Sequence, residues 1–198
     1  MPTRHGRSKA EQKKQKKDYR SLVGFGVLGV IVIIVIIVLV TSVNKTTGAG
    51  LMGDAVAVDS RAHVPNDAIP GPYNSNPPAG GSHFDTDYSE KFYNESDLAG
   101  LPPHPEGYLV HSLEHGYVIF WYNCQIAGTD CAALKATIQK VMDETGNTKL
   151  IAFPWNSIDY PLAMTSWGRI MNFSKLDEKT MVQFVEHNRY QAPEPDAP

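Results

Sequence analysis

His104 to Tyr122 reads HPEGYLVHSLEHGYVIFWY, and the way this stretch divides decides the fold. Pro105 and Glu106 signal a helix start: a first turn does not need proline's missing N–H, and an acid there meets the positive end of the helix dipole. Leu109, Val110 and Leu113 recur at helical spacing, and Gly116 is placed to stop the helix. Tyr117 to Tyr122 (YVIFWY) is aromatic and β-branched, which suits a buried strand.

Working towards the C-terminus, residues 131–145 (CAALKATIQKVMDET) put Leu134, Ile138, Val141 and Met142 on one helix face, with Gly146 as the stop. Residues 149–154 (KLIAFP) read as a second strand. Strand, helix and strand in that order predict a parallel crossover. Leu162 to Trp167 reads as a third strand, and Ser174 opens a last helix to about Arg189, with Met181, Phe184 and Val185 inward. Residues 193–198 form a Pro-rich tail that is expected to fray. The expected fold class is α+β: one compact domain over residues 63–192, with a small mixed sheet and two to three helices.

Towards the N-terminus, residues 65–82 carry five Pro and three Gly and fit neither a regular helix nor a central strand. They read as a long loop, either structured or disordered, and such loops are more often functional than idle. Residues 44–62 read as a flexible linker. Leu22 to Val40 contains no charged residue over 19 positions. As a helix it covers about 28 Å, close to the hydrocarbon thickness of a bilayer. Residues 22–43 are therefore expected to be a single transmembrane helix, in contact with the lipid bilayer.

Charge gives the orientation. The net charge of -3 over 198 residues divides unevenly: residues 1–20 hold eight Lys/Arg against Glu11 and Asp18, and the remainder holds ten basic against nineteen acidic residues. The positive-inside rule keeps the basic tail, residues 1–21, in the cytoplasm and sends the globular domain outside. The apolar run is too long for a signal peptide and no small-residue cleavage site follows it directly, so the anchor is expected to stay. A basic tail on an acidic body is not a nucleic-acid-binding face. With 42% hydrophobic residues and two Cys, the chain is neither disordered nor a disulfide scaffold.

Chemistry concentrates on histidine. Six of seven His fall in the outer part, four of them between residues 83 and 115. His111-Ser112-Leu113-Glu114-His115 places two imidazoles at i and i+4, neighbours on one helix face. There two ring nitrogens can reach one ion at about 2.0–2.1 Å. In a strand the same residues would stand about 13 Å apart and could not chelate together. The Pro/Gly-rich loop ends in His83, the best third ligand, and His63 or Glu114 offers a fourth ligand or a supporting partner. Imidazole suits a copper or zinc ion better than magnesium or calcium.

Two other readings stand beside a metal-binding domain. One is a structural or interaction module in which the His only bond the loop in place and an extracytoplasmic protein partner docks. The other is a small zinc hydrolase, because His-x-x-Glu-His is the inverzincin pattern with Glu114 as general base. That helix is barely three turns and ends at Gly116, a poor context for a protease. Cys124 and Cys131 are the only thiols and are expected to pair on the oxidising side of the membrane. Their spacing lacks the C-x-x-C of most metal and redox sites. Phe120, Trp121, Tyr122, Phe153, Met164 and Met171 read as core.

Several spaced motifs together resemble a known family. His63-Val64, PPAGGSH (residues 77–83), LVHSLEHGYVIFWY (109–122), MTSWGR (164–169) and FVEHNRYQAPE (184–194) are similar to the bacterial domain-of-unknown-function family numbered 3105. Its usual form of the first long motif is PPTSGxH; here Ala79-Gly80 replaces Thr-Ser, while His83 remains. The resemblance implies a membrane-tethered or secreted domain over about residues 60–194. It implies no activity, so the histidine chemistry must stand alone.

Overall fold

A computed structural model describes residues 50–197. The basic tail and residues 22–43 lie outside the described residues. Among the described residues no helix is long and apolar enough to cross a membrane.

The described chain is an α+β domain with a mixed six-stranded sheet in the order β1-β8-β7-β5-β6-β4. The strands are β1 (Asp54–Ala55), β4 (Lys91–Phe92), β5 (Val118–Tyr122), β6 (Leu150–Pro154), β7 (Leu162–Ser166) and β8 (Arg169–Phe173). Three α-helices cover it: α1 (Pro105–Glu114), α2 (Cys131–Glu144) and α3 (Glu178–Asn188). A two-stranded parallel sheet, β2 (His63–Val64) with β3 (His83–Phe84), stands apart.

The decisive stretch divides as the sequence predicts. Pro105 occupies the start of α1, and Gly116, at φ +85°, follows its end. A side chain at Gly116 would place its Cβ 2.8 Å from Tyr190 Cα, so glycine also lets the C-terminal segment cross here. β5 is buried along its whole length because both faces are covered. Its residues alternate: Val118, Phe120 and Tyr122 pack with Leu134, Ile138 and Val141 of α2 and Met181, Phe184 and Val185 of α3. Ile119 and Trp121 face Leu109 and Leu113 of α1 together with Phe84, Tyr88 and Phe153. The crossover from β5 through α2 to β6 is parallel, with Val118 opposite Leu150. Cys124 and Cys131 are joined by a disulfide between β5 and α2.

Residues 169–173, which the sequence reading assigns to no element, form β8, an antiparallel partner of β7 joined by a tight turn with Gly168 at φ +68°. Three expectations need correction. α3 starts at Glu178 rather than Ser174, because the Asp177 side chain accepts a hydrogen bond from Thr180 N–H and caps it there. The linker is shorter than residues 44–62: β1 pairs with β8, Val56 N–H donates to Gly168 O (3.0 Å), and the Asn188 amide bonds both Met52 N–H and Met52 O. Pairing across the sheet edge orders a stretch whose own sequence is weakly patterned. The Pro-rich tail is also tied down. Lys149 is buried, and its Nζ donates to Pro195 O (3.0 Å), Ala197 O (2.6 Å) and His115 O (2.7 Å). The loop of residues 65–82 is the structured alternative: Pro77 to Gly81 are buried, leading directly into β3.

Candidate metal centre

The small sheet and α1 bring the histidines together. His63 and His83 are directly opposite in the β2–β3 register. Parallel neighbours point their side chains to the same face, so both rings emerge on one side. β3 lies against α1 so closely that a Cβ on Gly107 would come within 2.5 Å of the Phe84 ring. Glycine at that helix position is what permits the approach, and the approach sets His83 beside His111. Ring centroids are 4.8 Å apart for His63 and His83, 5.1 Å for His63 and His111, and 5.2 Å for His83 and His111.

One potential ligand atom from each of His63, His83, His111 and Glu114 lies within 4.8 Å of all the others. His83 and His111 are oriented in the same manner. His83 Nδ1–H donates to Gly81 O (2.7 Å) and His111 Nδ1–H donates to Phe84 O (2.7 Å). A carbonyl oxygen only accepts, so each Nδ1 carries the proton. Nε2 is thereby the ring nitrogen left to coordinate in these two, and an outer acceptor on the other nitrogen is the usual support of metal-bound histidine. His63 Nδ1 lies 3.1 Å from Asp85 Oδ1.

Glu114 divides its two oxygens. Arg61 Nε donates to Oε1 (2.9 Å), whereas Oε2 is 2.9 Å from His83 Nε2 and 3.5 Å from His63 Nε2. Burial works to raise the Glu114 pKa, but the Arg61 hydrogen bond, the neighbouring His83 and the guanidinium charge outweigh it, and the carboxyl is held below its ordinary value. Burial lowers the pKa of His111, and the adjacent His115, His83 and His63 push the same way, against the Phe84 carbonyl. Glu114 is thereby favoured as the anion and His111 as the neutral imidazole, the states in which these two residues bind a metal.

His115 is not one of the four. Its ring touches His111, with centroids 4.3 Å apart, so the expected i,i+4 contact exists. α1 ends at Glu114, however, and the His115 ring turns towards Asp87 (Nδ1 to Oδ2, 3.7 Å) and Glu194 (Nε2 to Oε2, 4.0 Å). The helical spacing that builds the cluster is i,i+3, His111 with Glu114. His104 and His187 lie elsewhere, next to Glu106 and Gly50 O respectively. A second group, Glu95 with Cys124 and Cys131, also converges, but its sulfurs are spent in the disulfide.

Sequence reasoning missed Arg61 and Asp85. Both stand two positions from a cluster histidine, as Arg61-x-His63 and His83-x-Asp85. Period-two spacing puts such residues on one face of an extended chain, and that signal was available. Glu194, 3.6 Å from Arg61 Nη2, comes from the tail and was legible only in three dimensions.

A sequence family described as "Protein of unknown function (DUF3105)" matches residues 65–198, a span that includes His83, His111 and Glu114. No curated protein and no solved structure matches the chain. The match covers well over half of the chain, and the protein belongs to the DUF3105 family.

Proposed function

We propose that the protein binds one transition-metal ion, zinc or copper, through His63, His83, His111 and Glu114. In this reading it does so on the outer face of a cell membrane to which residues 22–43 anchor it. The observation that carries the reading is the convergence of four ligand atoms: one each from His63, His83, His111 and Glu114 lies within 4.8 Å of all the others. At its centre His83 Nε2 stands 2.9 Å from Glu114 Oε2, and a cation there would take a lone pair from each. Three imidazole nitrogens and one carboxylate oxygen match zinc and cupric copper and are too nitrogen-rich for magnesium or calcium.

The specific competitor is an ion-free network in which His83 is protonated and bonded to Glu114. The hydrolase reading is less well supported: Arg61 and His83 occupy both oxygens of Glu114, and His115 stands outside the cluster. Metal content separates the readings. The full chain, purified in detergent, loaded with zinc or cupric ion and dialysed, is expected to retain about one ion per chain by mass spectrometry. His83→Ala/His111→Ala should lose it and His187→Ala should keep it. Equal trace metal in all three proteins sinks the proposal.

A further inference from the structure

The four candidate ligands do not share one environment. The side chain of His83 is 0% exposed, that of Glu114 2%, and His111 as a whole 7%. The side chain of His63 is 41% exposed. His63 lies on a two-residue strand, and its outer support is Asp85, a side chain 79% exposed. Water competes for both partners of such a contact, so it holds the ring weakly. The Nδ1 acceptors of His83 and His111 are carbonyls of the buried residues Gly81 and Phe84. The rim continues through Arg61, which reaches Glu114 and Glu194, and through Asp87 and Glu194 beside His115. The exposed carboxylates Asp85, Asp87 and Glu194, set against the single guanidinium of Arg61, leave this side negative, which draws cations towards it.

We infer that the ion is taken up and surrendered at this edge, with His63 as the displaceable ligand. The ion passes to and from an incoming chelate with imidazole or carboxylate donors, by ligand exchange and without unfolding of the domain. The inference rests on the metal reading given above. A structural zinc site closes all four positions with protein ligands; this one sets three of its four in the interior and one on a short exposed strand. In the exchange the incoming donor forms a bond to the ion as the His63 Nε2 bond breaks. His63 leaves as a neutral imidazole, and no electron is transferred. Arg61 keeps Glu114 Oε1 in place while the buried three ligands hold the ion through this first exchange; further donors of the same chelate then replace His111, His83 and Glu114 Oε2 in turn, one bond to the ion forming as one to the protein breaks, until the ion has left.

The test uses the full chain in detergent micelles, loaded with zinc and mixed with the chromophoric chelator pyridylazoresorcinol in stopped flow. The transfer rate is expected to rise in proportion to chelator concentration. His63→Ala should transfer about tenfold faster or more at the lowest chelator concentration, with an unchanged circular dichroism spectrum. Asp85→Asn should fall between the two. A rate that is flat across chelator concentrations, which means the ion escapes only when the domain opens, overturns the inference. So does a His63→Ala protein that transfers no faster than wild type. A wild-type chain that holds no zinc before mixing overturns the metal reading itself, a failure visible before any chelator is added.

Discussion

Replacing Gly107 by alanine tests the contact on which the site is built. The added carbon would lie 2.5 Å from Cδ2 and Cε2 of Phe84 and 3.0 Å from Cζ. Carbon–carbon contacts sit at about 3.5–4.0 Å, so the ring must retreat by about 1 Å. Phe84 cannot swing into solvent: it is fully buried, and the Tyr108 ring stands 4.7 Å from its own. Two effects oppose each other. Alanine gains helix propensity, at most about 1 kcal/mol and less in the first turn where Gly107 sits. Overpacking a close-packed site costs about 1–3 kcal/mol. Strain should win, with a net loss of about 1–2 kcal/mol. All three Trp of the protein (Trp121, Trp155 and Trp167) lie in the described domain, so urea unfolding followed by fluorescence reads it directly. The site should respond as well, because the Phe84 carbonyl orients His111. Zinc affinity is expected to fall about tenfold. A Gly107→Ala protein as stable as wild type, with unchanged affinity, would refute the claim that this approach sets the geometry.

Three further outcomes follow from particular contacts. Lys149→Met removes the donor shared by His115 O, Pro195 O and Ala197 O; leaving those acceptors without it should cost about 2–4 kcal/mol and make residues 190–197 the first proteolytic cut. Reduction of the Cys124–Cys131 disulfide should lower stability by about 2–3 kcal/mol, since the bond closes a short loop, while metal stoichiometry stays the same; a loss of metal on reduction would tie the two sites together. On acidification the ion-free domain should lose stability. His111 is held below its ordinary value of 6.5 by burial, so below that pH the unfolded chain takes up a proton that the folded one resists. Glu114, also held low, adds stability above its ordinary value of 4.5 that is lost as pH falls through its folded value. Urea midpoints that rise between pH 6.5 and pH 4 would contradict both assignments.

How much was legible before the structure depends on the range over which each cause acts. The division of residues 104–122 into helix, glycine stop and buried strand rests on proline, glycine and apolar spacing within one turn or one strand, all of it local. The same holds for α2, β6 and β7. The convergence of His63, His83 and His111 is not local: it needs the β2–β3 pairing and the approach of β3 to α1. β1 and β8 were missed because their cause is not local either. Two- and five-residue strands have little pattern of their own and exist because an edge of the sheet accepts them.

The sequence by itself determined that α1 carries His111 and Glu114 on one face, since helical periodicity is a property of the local backbone. It equally determined that a charge-free run of 19 residues follows a basic tail. Only tertiary structure decided which neighbours complete the cluster. Glu114 enters it and His115 leaves because the helix ends between them, and because Arg61, two residues ahead of β2, arrives to hold one carboxylate oxygen. Such choices depend on contacts between segments distant in the chain, and their energies arise from burial and packing that appear once those segments meet.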